Sequence, residues 1–148
     1  MPLLAISHQQ QRQQSDCLAA CAEMVLTYLG QPTNYDQLII LLRIGPAGAP
    51  FRNLNHLAKL GVTVTIESGT IATIQSYLNQ AIPPIVFVAT QELSYWSETT
   101  NHAVVVAGLD DQNIYLYDPA FTYAPHTVPI AEFDLAWLEM GEFLATVK

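Results

Sequence analysis

Basic residues are scarce in this chain: Arg12, Arg43, Arg52, Lys59 and Lys148 stand against 13 carboxylates, for a formal charge of −8. With no basic stripe to neutralise phosphates, nucleic acid and anionic membrane surfaces are excluded as expected partners. Long apolar runs are lacking too, and nothing approaches the roughly 20 residues needed to span a bilayer. The opening Met1-Pro2-Leu3-Leu4-Ala5-Ile6-Ser7-His8 has no basic segment ahead of its short apolar run, so it does not read as a signal peptide. Cysteine occurs only at Cys17 and Cys21. Residues four apart on one helix face bridge poorly, so both are expected as free thiols in a reducing cytoplasm. There is no C-x-x-C or H-E-x-x-H spacing, and Gly45 and Gly48 stand among prolines without a strand before or a helix after. Neither a metal nor a cofactor is therefore expected.

What is present is a core. Of 148 residues, 51% are hydrophobic and 12% charged, which predicts one folded domain over residues 1–148. Residues 2–7 suit a short edge strand or an extended arm, and the glutamine-rich tract from His8 to Ser15 has a linker's composition. Ser15 or Asp16 then caps a helix from about Cys17 to Leu29, with Leu18, Cys21, Ala22, Val25 and Leu29 at helical spacing and Gly30 as its stop. Thr33 and Asp36 resemble the capping signal of a second helix carrying Leu38, Ile39, Leu41 and Leu42. A third is expected over Arg52–Leu60 with Leu54, Leu57 and Ala58 inward, then a strand over Val62–Ile66 and a helix capped by Thr70.

After Pro83-Pro84 the pattern changes to strands: Ile85–Ala89, apolar throughout, then His102–Leu109 and Ile114–Tyr117. A short helix over Ile130–Leu138 and a strand over Glu142–Val147 close the chain. A mainly helical part, about residues 8–80, followed by an antiparallel sheet, about 84–148, is an α+β fold.

Cys17 sits where a helix begins, and unpaired N–H groups at a helix start favour thiolate over thiol. It is a candidate nucleophile, and Gln11, six positions earlier, a candidate donor to the oxyanion its attack would create. The alternative is a small buried core cysteine. His102 stands at the mouth of an apolar strand, whereas His8, His56 and His126 read as surface residues. His102 is either a structural histidine or a base, and Asp118, ending the returning strand, brings a carboxylate to its end of the hairpin. Parity makes this testable. If Leu109 pairs with Ile114 across four residues, His102 and Asp118 point to opposite faces; an odd loop or one β-bulge between Leu109 and Tyr115 puts them on one face. An odd loop or a bulge between Leu109 and Tyr115 is predicted, with His102 as general base and Asp118 as its orienter.

Gln11, Asp16-Cys17, the segment Ala20-Cys21-Ala22-Glu23-Met24-Val25-Leu26, His102-Ala103-Val104-Val105-Val106, Ile114-Tyr115-Leu116-Tyr117-Asp118-Pro119-Ala120 and Glu132-Phe133 together resemble a papain-like cysteine peptidase. More narrowly, they resemble the bacteriocin-processing, double-glycine leader peptidases (cysteine peptidase family thirty-nine) found as N-terminal domains of peptide-exporting ABC transporters. The resemblance implies a papain-like fold, with Cys17 as nucleophile, His102 as base, Asp118 as orienter and Gln11 as oxyanion donor. It implies an endopeptidase that passes through an acyl-enzyme thioester, cuts a peptide or protein partner and admits small residues such as a double glycine near the scissile bond.

Two departures bear on that reading. Family members usually carry glycine after the cysteine; here Leu18 stands there, a side chain able to crowd the primed side of the cleft. No membrane span or ATP-binding cassette follows, so the chain is expected to cut without exporting, and association with a separate transporter is open. Tyr95 and Trp96, on the loop before His102, either wall the cleft or pack that loop onto the body. The competing readings are a non-catalytic peptide-binding module on the same fold and a papain-like acyltransferase or isopeptidase.

Overall fold

The computed structural model describes residues 3–148. Its elements run α1 (Cys17–Tyr28), α2 (Tyr35–Leu41), a 3₁₀ helix (Phe51–Leu60), β1 (Val64–Ser68), α3 (Ile71–Asn79), β2 (Ile85–Ala89), β3 (Asn101–Leu109), β4 (Asn113–Tyr117), β5 (His126–Pro129), α4 (Ile130–Leu138) and β6 (Phe143–Val147). The strands form one antiparallel sheet in the order β1-β6-β2-β3-β4-β5.

Both faces of that sheet are covered, which is why β2, and β3 from Ala103 onward, carry no polar side chain. Ile85, Ala103, Val105 and Val147 pack under α1, α2 and the 3₁₀ helix. Their neighbours Val86, Val104, Val106 and Leu144 face the other way, against Ile74 of α3 and Phe133 and Trp137 of α4. An alternating strand would bury one face only; a continuous apolar run requires a layer on each side. The helix α1 is nearly engulfed, with Leu18 through Ala22 and Met24 through Leu26 all buried.

The local signals were read with mixed success. Thr70 caps α3 through a reciprocal pair of bonds with Thr73, and Gly30 adopts a left-handed φ of +74° after α1. The cap of α2, however, is Asn34, whose side chain accepts from Gln37 N, rather than Thr33. Ala58 faces outward, not inward: the segment winds with three residues per turn, so Leu54 and Leu57 share the buried side. The first strand falls two residues later than expected, and β5 was not anticipated because four residues between a Pro-rich loop and a Pro leave no readable alternation.

The hairpin carries the bulge that parity demanded, at a different place. Leu109 pairs with Ile114 across the even, four-residue connection, and Gly108 with Tyr115, but then Val106 pairs with Leu116. Ala107 is therefore the extra residue, inside β3 rather than between Leu109 and Tyr115. The N-terminal arm explains why this site accommodates a bulge: Leu4 N donates to the carbonyl of Ala107 at 2.9 Å. A Cβ on Gly108 would come within 2.4 Å of the Leu3 side chain, so the absence of one lets the arm lie flat. Residues 3–7 form no strand, and the arm turns tightly where Ile6 N donates to the Leu4 carbonyl at 2.9 Å; Pro2, at the start of the expected stretch, lies outside the described residues.

Candidate active site

Beyond the bulge Val105 faces Tyr117, so His102 and Asp118 fall on the same side of the sheet as Val104 and Leu116. The two side chains meet: His102 Nε2 donates to Asp118 Oδ1 at 2.6 Å, and they are 3% and 0% exposed. Nε2 is thereby committed to the carboxylate, so Nδ1 is the ring nitrogen left for other chemistry; Cys17, the first residue of α1, is half-buried and near enough for its charge to act on the imidazole.

Burial alone would hold His102 neutral. The hydrogen bond to Asp118, the proximity of Cys17 and the charges of both overcome that and raise its pKa from 6.5 to about 9. Asp118 is pushed upward by burial too, yet its net shift is downward. The His102 hydrogen bond and charge, the Ala120 N–H and the Tyr95 hydroxyl all favour its ionised form. The sign of the pH dependence follows. A histidine whose folded value exceeds its unfolded value contributes stability that is complete below about 6.5 and is lost as pH rises through about 9. Thermal melts across that interval are expected to show stability falling by roughly 3–4 kcal/mol at most, and His102→Ala is expected to flatten the slope.

Asp118 has more partners than a single histidine. Oδ1 also accepts from Ala120 N at 2.9 Å, while Oδ2 accepts from Tyr95 Oη at 2.7 Å and from Trp96 Nε1 at 2.9 Å. From the sequence Tyr95 and Trp96 either wall the cleft or pack their loop onto the body, and neither reading connects them to the carboxylate. The available signal was that a Tyr and a Trp turned into a protein body need acceptors for their polar tips. Both also border the cleft beside His102, and the Trp96 ring meets the imidazole edge-on with centroids 4.9 Å apart. His126, expected on the surface, is instead buried and stacks on Tyr95 at 4.1 Å; its burial pushes its pKa down. His8 is half-buried and bonds through Nε2 to the Phe121 carbonyl at 2.7 Å.

The glutamine tract is folded, not a linker. Asp16 is the residue before α1, but its carboxylate makes no cap bond to the helix. It reaches backward: Oδ1 accepts from Gln13 N at 2.8 Å and Oδ2 from the hydroxyl of Tyr35. Arg12 lies over the Tyr35 ring, 4.3 Å from its centroid, and pairs with Asp36 at 3.1 Å. The start of α2 thus grips the loop that leads into the cysteine. Within this loop Gln11 Nε2 donates to the carbonyls of Gln13 and Gln14, and Oε1 is buried without a partner. To donate to an oxyanion, the amide must release one of these two carbonyls.

Two openings flank the Cys17–His102 pair. One, of about 450 Å³, is bordered by His102, Gln11, Gln14, Trp96 and Glu98. The other, of about 510 Å³, is bordered by Cys17, Ala47, Gly48, Ala49 and Phe87. Leu18 also lines the second opening, yet it is 2% exposed and packs in the core with the rest of α1. That burial limits how far its side chain can crowd the cleft. Cys21 is wholly buried, and burial, followed by the nearby Cys17 and Asp118, pushes its thiol up, so it stays protonated. Among the described residues no three metal-ligating side chains cluster, and no helix is long and apolar enough to cross a membrane.

The family model for the peptidase C39 family matches residues 5–146. No curated protein sequence is significantly similar to the chain. Among solved structures, a C39-like peptidase from Bacillus anthracis superposes with a TM-score of 0.81 at 18% identity, covering 100% of this chain and 98% of that one. A double glycine motif protease from an AMS/PCAT transporter, solved with its leader peptide, gives 0.79 at 19% identity over 99% and 93%. The peptidase domain of Streptococcus ComA, a bifunctional ABC transporter of a quorum-sensing pathway, gives 0.78 at 18% identity over 95% and 96%.

Proposed function

The chain belongs to the peptidase C39 family, a family of cysteine peptidases, and from that premise we propose that it is an endopeptidase in which Cys17 attacks the scissile carbonyl. The observation that carries the proposal is the buried His102–Asp118 bond of 2.6 Å, set beside a thiol at the start of a helix. His102 Nδ1 holds the proton it has taken from Cys17, as its raised pKa favours, and the Sγ thiolate bonds to the carbonyl carbon. The tetrahedral oxyanion is held by Cys17 N–H and the Gln11 amide, a donor of this kind being worth about 3 kcal/mol. Collapse breaks the C–N bond and His102 returns the proton to the departing amine. Water then attacks the thioester with His102 as base, releasing the acid and the free thiol.

The same proton transfer assigns the two openings. An amine protonated by His102 departs on the His102 side, into the opening walled by glutamines and Trp96. The acyl half, bonded to Cys17, occupies the other, whose wall of Ala47, Gly48 and Ala49 suits a close-lying, extended peptide. The leader peptide bound by the double-glycine relative supports a peptide substrate with small residues before the cut. A nucleophile that must stay reduced fits the cytoplasm.

The test is intact-mass analysis after incubation with peptides that carry a Gly-Gly pair and with versions that carry leucine in place of either glycine. Cleavage after the pair, with products whose summed mass has gained one water, is expected, with at least a tenfold loss on the leucine substitution. Products that retain an added amine would replace hydrolysis with acyl transfer. Saturable binding of every peptide without turnover would replace the enzyme with a peptide-binding module.

A further inference from the structure

We propose that Tyr95 and Trp96 are positioning residues, whose hydroxyl and indole N–H clamp Oδ2 of Asp118 so that Oδ1 alone is left to hold the His102 imidazole. The inference rests on the catalytic reading given above and adds to it the device that keeps the orienting carboxylate charged and aimed.

The geometry divides the carboxylate cleanly. Oδ1 serves His102 Nε2 and Ala120 N; Oδ2 serves Tyr95 Oη and Trp96 Nε1; no part of the residue is exposed. A buried carboxylate with one partner can rotate and can take up a proton. One that accepts four bonds in a fixed fork can do neither without leaving buried donors unpaired. Tyr95 and Trp96 are adjacent in sequence yet both tips converge on one oxygen, because the loop from Leu93 to Trp96 is closed by the Trp96 N to Leu93 carbonyl bond at 3.0 Å. Glu132 of α4 anchors that loop from outside, accepting from Ser94 N and Ser94 Oγ at 3.0 and 3.1 Å. The Tyr95 ring is itself held between Phe121 and His126. Ring packing and hydrogen bonding can therefore be separated by mutation.

The groups facing Asp118 are His102 from β3, Tyr95 and Trp96 from the loop before it, Cys21 from α1 and His126 from β5; Cys17 lies beyond His102, and Glu132 acts on Tyr95. Removing a neutral donor from Oδ2 weakens only the ionised carboxylate, so Asp118 protonates at higher pH and the imidazolium loses its counter-charge sooner on acidification.

The experiment measures the rate of Cys17 alkylation by iodoacetamide and, with a cleaved peptide, kcat and KM against pH. It compares the intact chain with Tyr95→Phe, Trp96→Phe and the double variant. Phenylalanine keeps the stack on His126 and the edge contact with His102, and circular dichroism checks that each variant is folded. The acid limb of both profiles is expected to move up by about half a pH unit in each single variant and about one in the double. kcat is expected to fall about tenfold with KM little changed. His102→Ala is the internal reference. Profiles of the folded double variant that superimpose on the parent, while His102→Ala changes them strongly, overturn the clamp and leave the catalytic reading standing. If His102→Ala leaves alkylation unchanged, the catalytic reading falls and the clamp falls with it. Tyr95→Leu keeps the proposal exposed from the other side: if it alone shifts the limb and Tyr95→Phe does not, the residue acts by packing.

Discussion

Cys17→Ala is expected to reduce peptide cleavage by roughly ten-thousand-fold or more, to the limit of detection, while the fold survives. No other thiol can serve as nucleophile. Cys21 lies one helical turn further on, is wholly buried, and has its thiol pushed up by burial and by the proximity of Cys17 and Asp118. It neither reaches the cleft nor ionises readily, so it cannot substitute. With the thiol gone, His102 and the proposed oxyanion donors remain, but no acyl-enzyme can form, and a water in place of Sγ has nothing to hold it in line for attack. The truncation itself is mild, because Cys17 is half-buried at the first position of α1 and alanine suits a helix. Cleavage is read by intact mass and stability by urea denaturation. The labelling counterpart is that iodoacetamide modifies Cys17 of the parent far faster than Cys21. Cleavage at the parent rate in Cys17→Ala would sink the catalytic assignment.

The same residue shows where the sequence was legible. A cysteine at a helix start, a histidine at a strand mouth and an aspartate at the end of the returning strand could be placed because each sits at an element boundary, and boundaries carry Pro, Gly and capping residues that are visible one at a time. Parity then required a bulge, since an even hairpin would have separated His102 from Asp118. Its position was not legible. Nothing in Val105-Val106-Ala107-Gly108 marks Ala107 as the extra residue; it is selected by the arm at Leu3 and Leu4, which crosses Gly108 and bonds to Ala107 from about a hundred residues away in sequence. The same holds for Asp16. Its position before a helix reads as a cap, yet Tyr35 and Gln13 compete for its carboxylate and win. The 3₁₀ winding that turned Ala58 outward was hidden for a further reason: periods of 3.0 and 3.6 diverge too little over ten residues to separate by pattern.

Asp118→Asn is the second large effect, expected to lower kcat/KM by about 10²–10⁴-fold and stability by about 1–3 kcal/mol. An amide can orient a histidine in principle, so the loss has to be derived from these particular neighbours. Four donors converge on the carboxylate: His102 Nε2–H and Ala120 N–H on Oδ1, Tyr95 O–H and Trp96 Nε1–H on Oδ2. An anion with two oxygens satisfies them all, whereas an amide brings an NH₂ that must face one pair or the other. Turned toward Trp96, it meets an indole N–H that can only donate, and two donors confront each other in a dry interior. Turned the other way, it faces the Ala120 N–H and obliges His102 to present a bare Nε2, which moves the imidazole proton to Nδ1, the nitrogen that has to accept from Cys17. Either orientation removes the base or unpairs a buried donor, and the imidazolium loses the charge that holds its pKa near 9, so the fall in stability between about pH 6.5 and 9 should flatten as well. Substitutions at Asp118 and Trp96 should therefore combine non-additively. Trp96→Phe removes the one neighbour on Oδ2 that cannot accept, and the Tyr95 hydroxyl can turn its lone pair toward an NH₂. Asp118→Asn combined with Trp96→Phe is therefore expected to cleave faster than Asp118→Asn alone, although each substitution by itself slows the enzyme. Kinetics of the three variants beside the parent decide it: a double variant slower than both singles would show that the amide fails for want of charge alone and that the indole N–H plays no part in the failure.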